Sequence, residues 1–444
     1  MKENRKTSFK GAEKGNISEV WEIRKLLEVT EQIFSGGTPD TRKPEYWGGS
    51  IPWLSSGETR QKFIRNTEKK ITQAGVDNSS TRLARKGDVV VAAAGQGYTR
   101  GQVSFCLIDT YINQSIVALR ADIKKIAPLF LFYNLSSRYK ELRQISDAHS
   151  SRGSLTTKLL ADLNIPVPAL EEQEEISKIL SSLDFKIDLN HQMNKTFEEI
   201  GKAIFKHWFI DFEFPDEEGK PYKSSGGEMV YNEELRKEIP KEWKIEELPQ
   251  VANVVDCLHI KKPSSEPSGN VLLQVYNFGR NENSIDLTDK YTISDQDYQQ
   301  WTENIEVAEG DILLTNAGLV GAVARIPPNF KGAIGRNITA VRPTNVSQIY
   351  LFRYLLSEYG RREIERNTDT GTIFNVLNVK GIRKIRVLVP PEKVLTEFDH
   401  LALPLRWAVE NNLDQNVSCS QIRDLLLPRL MSGKIRVPVE ASIK

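Results

Sequence analysis

A chain of 444 residues, 39% hydrophobic and 27% charged, is long enough for two or three domains with cores of their own and has the composition of an ordinary soluble globular protein. Its formal net charge of +1 argues against a simple basic nucleic-acid binder, although a balanced total leaves room for a local basic patch. No apolar run approaches the length needed to cross a bilayer, and the polar start MKENRKTSFKGAEKGN lacks the apolar core of a signal peptide, so a cytoplasmic location without a membrane is expected. Cys106, Cys257 and Cys419 stand singly and far apart; buried free thiols are expected, not a disulfide framework or a zinc ligand set.

In chain order, an N-terminal tail (1–19) precedes WEIRKLLEV, Trp21 to Val29, which opens a first domain. PKEWKIEELPQV, Pro240 to Val251, opens a second in the same way. KGDVVVAAAG (Lys86 to Gly95) resembles EGDILLTNAG (Glu309 to Gly318), in each case a Gly-Asp turn feeding a short apolar strand. NQSIVALRAD (Asn113 to Asp122) resembles RNITAVRPT (Arg336 to Thr344), and LNIPVP (Leu163 to Pro168) resembles IRVLVP (Ile385 to Pro390). An offset of 222 aligns Pro168 with Pro390, Arg120 with Arg342 and Trp21 with Trp243, so the chain is a tandem duplication.

Each copy ends in a long amphipathic helix. In the first, Ile176, Leu180, Leu183, Ile187, Phe197, Ile204 and Trp208 step by threes and fours, and a helix from Glu171 to Phe209 would reach roughly 58 Å at about 1.5 Å per residue. The same offset carries Ile176, Leu183, Ile187, Ile204 and Trp208 onto Phe398, Leu405, Val409, Leu426 and Leu430. The expected layout is a first domain (20–168), a first long helix (169–214), a Gly-, Ser-, Pro- and charge-rich linker (215–241), a second domain (242–390), a second long helix (391–432) and a C-terminal tail (433–444). The fold class expected is α/β: two mixed α/β domains in tandem repeat, separated by two long antiparallel helices forming a coiled coil. Antiparallel pairing is favoured because it brings Asn190 and Asn412, polar residues in mid-seam, close together, and a buried polar seam residue fixes register. Pro404, inside the second helix, removes a backbone hydrogen bond and is expected to disturb it.

Motifs for catalysis are missing. Gly95 to Gly97 (GQG) follows an apolar strand, but YTRGQVSFCLI after it reads as another strand and not as the helix that a nucleotide cradle needs. FPDEEGK, Phe214 to Lys220, has the letters of a nuclease core crowded into the linker with no strands to hold them. The phosphate-cradling G-x-x-x-x-G-K-[ST] pattern and the Asn/Asp/Ser-Pro-Pro-aromatic motif of amino-methyltransferases are both missing, and the five histidines make no ligand pair or triad. No catalytic residue, metal site or cofactor is assigned to this chain.

Binding chemistry remains. From Glu58 to Arg120 there are ten Lys or Arg against five acidic residues, interleaved with Trp53, Gln96, Tyr98, Asn113 and Gln114 close by. Arg325 to Arg342 holds Arg325, Lys331, Arg336 and Arg342 with no acid, and Lys261, Lys262 and Arg280 lie upstream. Such mixtures suit phosphate contacts and the reading of base edges. A charge run is more often a solvated face, which is the competing reading.

SGGTPDTRKPEYWGGSIPWLSSGE (Ser35 to Glu58), IPVPALEEQEEISKILSSLDFKIDLN (Ile165 to Asn190), KAIFKHWFIDFEF (Lys202 to Phe214), GGEMVYNEELRKEIPKEW (Gly226 to Trp243) and LLLPRLMSGKI (Leu425 to Ile435) resemble, in order and over nearly the whole chain, the specificity subunit of type I restriction-modification systems. The resemblance implies two target-recognition domains, each reading one half of a bipartite double-stranded DNA target, with the helix pair setting the distance between the halves. It implies docking of two methyltransferase subunits, which bring S-adenosylmethionine and adenine N6 methylation, and of motor and nuclease subunits that serve defence against foreign DNA. Roughly 58 Å of helix matches about 17 base pairs at about 3.4 Å each. PPEKVLTEF at the start of the second helix lacks the EEQ of the first, which puts the equivalence of the two docking faces in question. The DNA-contacting residues expected are Thr38, Trp53, Ser55, Gln96, Tyr98, Arg100 and Gln114 in the first domain, and Lys261, Lys262, Tyr276, Asn277, Arg280, Asn316 and Arg336 in the second. Each has a bland alternative: Trp53 as a core aromatic, and Arg120 and Arg342 as structural ion-pair residues. Replacing Arg100 by Ala is expected to weaken specific binding by about 1 to 3 kcal/mol.

Overall fold

In the computed structural model, which describes residues 21–95, 97–149, 153–279, 283–371 and 375–438, the repeat in the sequence is a repeat of structure. Strand Glu22–Lys25 pairs antiparallel with Asn164–Val167, matching Glu22 with Val167. Strand Lys244–Glu247 pairs with Arg386–Val389, matching Lys244 with Val389, the same register displaced by 222 at both ends. The long helices, Leu170–Phe209 and Glu392–Met431, obey the same offset and have 40 residues each. The chain divides into two units, residues 21–186 with 419–438 and residues 187–418.

In the first unit a five-stranded sheet runs, neighbour to neighbour, Thr30–Ser35, Ile116–Ala121, Val89–Ala92, Val103–Cys106 and Phe63–Ile64. A four-stranded sheet runs Lys69–Ile71, Trp47–Leu54, Thr110–Ile112 and Arg82–Ala84. Val89–Ala92 is buried at every position, as a short all-apolar run in the centre of a sheet must be. Gly87, at φ +95°, makes the turn into it, and Asp88 holds that turn by accepting the Arg85 backbone N–H at 2.9 Å and the Arg120 guanidinium at 2.7 Å. In the second unit Gly310 (φ +88°) and Asp311 repeat the device, Asp311 accepting from Ala308 N at 2.9 Å and from Arg342 at 2.6 Å. Arg120 and Arg342 are thus structural ion-pair residues.

The second unit keeps a four-stranded sheet, Ala252–Asp256, Ile338–Pro343, Ile312–Thr315 and Val323–Arg325, and a three-stranded one, Thr292–Ile293, Asn270–Leu273 and Ala333–Ile334. Helices Pro128–Ser136 and Gln348–Leu356 occupy corresponding places in the two copies.

The stretch expected to be a Gly-, Ser-, Pro- and charge-rich linker, 215–241, is folded. The first long helix stops at Phe209, earlier than position 214, and Phe212 turns the chain at φ +61°. Met229–Asn232 and Lys237–Pro240 then form a hairpin, Phe214 stacks on Tyr222 with ring centroids 4.6 Å apart, and Trp243 packs edge-on against Phe212. Burial, helped by nearby Lys223, pushes the Lys237 ammonium down to about 8. Aromatic side chains every few residues, hidden among the Gly, Ser and Lys, anchor this strap to the core of the second unit.

The helix pairing is antiparallel within each unit. In the first, Asp184 meets Arg423 at 2.6 Å, and Arg436, beyond the end of the second helix at Met431, meets Glu172 at 2.6 Å. In the second, Asn190 meets Asn416 at 2.8 Å, Asn194 meets Asn412 at 2.9 Å and Glu198 meets Arg406 at 2.9 Å. Asn190 also approaches the Asn412 backbone carbonyl, at 3.4 Å. The seam differs from a plain apolar stripe. Ile176, Leu180 and Trp208 are buried in it, but its middle is made of Asp184, Asn190, Asn194 and Glu198. Helix Glu392–Met431 runs on through Pro404 and Pro428.

Candidate nucleic-acid interface

The polar seam fixes how each domain is mounted. In the first unit Asp184, buried, accepts from Lys62 at 3.0 Å, from the Tyr133 hydroxyl at 3.0 Å and from Arg423. At the helix start the EEQ motif acts as a clasp. Gln173, with no exposed surface, accepts the Ala127 N–H and donates to the Lys125 and Pro168 carbonyls, while Glu172 takes the Trp21 indole N–H and Arg436.

In the second unit three buried guanidinium groups face two buried carboxylates. Arg406 binds Glu198 and Glu410, Arg325 binds Glu410 at 2.6 Å and Gln348 at 3.0 Å, and Arg353 binds Glu198 at 2.6 Å. Burial pulls Arg353 below the ordinary guanidinium range, against the attraction of Glu198. Gly201 leaves the space for this, since a Cβ there would lie 2.5 Å from the Arg353 guanidinium. The offset of 222 pairs Asp184 with Arg406 and Gly201 with Arg423, so the two copies keep a polar mount at the same level while exchanging its charges.

Burial and ion pairing correct the count of basic residues. Arg325 is wholly buried, Arg342 is paired with Asp311, Lys331 lies 3.5 Å from Glu306, and Lys62 is held by Asp184. Of the acid-free run, Lys331 and Arg336 stand exposed.

The expected DNA-contacting residues divide into inward and outward ones. Trp53 is buried, donates its indole N–H to Gly37 O at 3.3 Å and packs edge-on against Trp47. Ser55 bonds Glu58 through its hydroxyl and its backbone N–H, both at 3.0 Å. Arg100 is 7% exposed and ion-paired with Asp147. Asn277 spends its amide on the Asp286 and Asp289 carbonyls and on Gln274 N. Asn316 spends its own on Thr339 and the Leu377 carbonyl. The side chains of these five are engaged in bonds within the protein. Gln96 and Arg280 lie outside the described residues.

Outward residues include Tyr98, 84% exposed, and Gln114, which accepts the Thr38 hydroxyl. Gln114 sits in the turn between strands Thr110–Ile112 and Ile116–Ala121; Arg336 sits in the equivalent turn between Ala333–Ile334 and Ile338–Pro343, displaced by 222. In the second unit Lys262, Tyr276 and Arg336 meet around one open depression of about 650 Å³, together with Gln274, Val275, Phe278, Gly318, Leu319 and Asn337. The Lys262 ammonium lies 3.5 Å from the Tyr291 ring centroid, and partial burial lowers its proton affinity. Exposed Lys261 neighbours it in sequence. A cation, an aromatic face, a guanidinium and two amides around one hollow can grip phosphate and present donors and acceptors to base edges. Sequence reasoning passed over Gln274, Leu319 and Asn337; Asn337, at φ +66°, stands beside Arg336 and was legible only as a neighbour. In the first unit an open depression of about 430 Å³ is lined by Thr41, Trp47, Gly48, Glu68, Lys69 and Lys70, outside the expected set.

Among the described residues no helix is long and apolar enough to cross a membrane. A family model for the type I restriction modification DNA specificity domain matches residues 18–199. The type I restriction enzyme MjaIX specificity subunit of Methanocaldococcus jannaschii is 28% identical over 450 residues, with 97% of each chain covered. The putative MjaX specificity subunit of the same organism is 26% identical, again over 97% of both chains. The crystal structure of a type I restriction-modification system S subunit from M. genitalium shares the fold, with a TM-score of 0.63 at 15% identity, covering 93% of this chain and 96% of that one. Over nearly its whole length the chain is thus similar to type I restriction enzyme specificity subunits, and residues 18–199 match the DNA specificity domain of type I restriction-modification systems.

Proposed function

We propose that this chain reads a bipartite double-stranded DNA target, one half-site per domain, and that the antiparallel helix pair sets the spacing between the halves. The observation that carries the reading is the duplication itself: two α/β domains with the same strand register, each continued by its own 40-residue helix. Two copies of one recognition fold on one chain suit a target with two separately specified parts. In this reading Thr38, Tyr98 and Gln114 contact one half-site, and Lys261, Lys262, Tyr276 and Arg336 the other, with Gln96 and Arg280 assigned on sequence alone. Trp53, Ser55, Arg100, Asn277 and Asn316 serve by holding those loops in shape.

The chain works in the cytoplasm as a scaffold for two methyltransferase subunits and for motor and nuclease subunits. S-adenosylmethionine is held by the methyltransferase partners, which methylate adenine N6; the chain itself carries no cofactor for that step. Purified chain incubated alone with labelled methyl donor and DNA tests this division of labour. No methyl transfer is expected until the methyltransferase subunit is added, and transfer by the chain alone would overturn it. Salt-dependent binding to DNA by the assembled complex is expected as well, with affinity falling as salt rises.

A further inference from the structure

We propose that Asp256, Cys257 and His259 form a three-ligand site for a zinc-class divalent cation in the second unit. Asp256 ends the strand Ala252–Asp256, and its Oδ2 lies 3.0 Å from His259 Nε2. A carboxylate oxygen, the Cys257 sulfur and a His259 ring nitrogen all lie within 4.8 Å of one another. Thiolate, imidazole and carboxylate are the donors that zinc takes, at about 2.0 to 2.3 Å each, so a tetrahedron of such bonds closes with small side-chain movements. The spacing Asp-Cys-x-His hid the cluster, because one cysteine and one histidine without a second copy of either resemble no familiar ligand pattern.

Without a cation the surroundings favour the neutral thiol. Burial and the charge of Asp256 push the Cys257 thiol up, while the backbone N–H groups of Asn337 and Ile338 face the sulfur and favour its ionised form. A divalent cation at the sulfur would tip that balance, releasing the thiol proton to solvent, so affinity rises with pH. The His259 side chain is 72% exposed, which gives the cation a path in and leaves a fourth position for water. The offset places Phe34, Ser35 and Gly37 at the equivalent positions of the first unit, so the fold does not require these donors. Ligation would fix the segment carrying Lys261 and Lys262 against the turn of Arg336 and Asn337. The site stands on its own donors and is independent of the DNA reading.

Titrating the purified full-length chain with Co2+ alone, followed by Zn2+ in competition, tests the site. One equivalent of Co2+ is expected to give sulfur-to-cobalt charge-transfer absorption that Zn2+ abolishes. Cys257→Ser should remove the band, Asp256→Asn and His259→Ala should weaken binding more than about tenfold, and Cys106→Ser and Cys419→Ser should leave it unchanged. A folded chain that gives no thiolate band, or a band that survives Cys257→Ser, overturns the proposal. Should Cys257→Ser fail to fold, the exposed His259 decides: unchanged Co2+ affinity in His259→Ala overturns it equally.

Discussion

The Asn190 side-chain amide donates to Asn416 Oδ1 at 2.8 Å across the helix pair of the second unit. The reciprocal bond, Asn412 to Asn194 at 2.9 Å, is its image under the offset of 222, since 190 maps to 412 and 194 to 416. All four side chains are buried. Slipping one helix along the other would break both bonds at once, so they set register more than they add stability. Asn190→Leu alone should therefore cost about 1 to 3 kcal/mol, because Asn416 Oδ1 is left buried without its donor. Asn190→Leu with Asn416→Leu should cost less than the single change. Denaturant midpoints check this, and equal losses in the two variants would contradict it.

The charged mount in the second unit gives a sharper contrast. Arg406 has no exposed surface and binds both Glu198 and Glu410, so Arg406→Met should destabilise by about 3 to 5 kcal/mol. Arg362→Met, which breaks an exposed pair with Glu358, should cost at most about 1 kcal/mol. Calorimetry of the two variants separates these outcomes.

Asp399 tests pH dependence. Burial raises its carboxyl above the ordinary aspartate value, while the Ser347 hydroxyl, which donates to it, opposes the rise. The folded state thus holds this proton to higher pH than the unfolded state does, and the residue's contribution to stability falls as pH rises through the window above about 4. Asp399→Asn should match the parent near pH 4 and exceed it at about pH 7. Thermal midpoints that do not diverge over that range would contradict the assignment.

Arg336 and Arg100 should separate binding from folding. Arg336 is exposed at the rim of the depression, so Arg336→Ala should leave the thermal midpoint unchanged and weaken specific DNA binding by the complex by about 1 to 3 kcal/mol. Arg100 is buried against Asp147, so Arg100→Ala should lower stability first, with any loss of binding following from the loosened loop. The expectation drawn from sequence takes Arg100 itself as a contact, and the two variants test it. Binding and melting curves for both variants decide.

The duplication was legible because the features that repeat are those a chain shows in its letters: a Gly-Asp turn, an all-apolar strand and a stepping apolar seam. Asp88 with Arg120 and Asp311 with Arg342 show why the Gly-Asp turn and the downstream Arg recur together. The centre of the seam was harder to see. Asp184, Asn194, Glu198 and Arg406 look in sequence like a solvated face, and the opposite helix together with the domain packed on it turns them inward. The interface blurred for the same reason. Arg325 and Arg336 are the same letter eleven positions apart, yet one is wholly buried against Glu410 and the other is exposed in a turn. Charge counting reports neither partner nor direction.

Mapping methylated adenines in cells that express this chain with the methyltransferase subunit proposed as its partner tests the two-domain reading most directly. The account predicts one bipartite motif with an unread gap, and predicts that Arg336→Ala relaxes one half of that motif while leaving the other half and the gap unchanged. A single continuous motif, or relaxation of both halves by that one substitution, would contradict it.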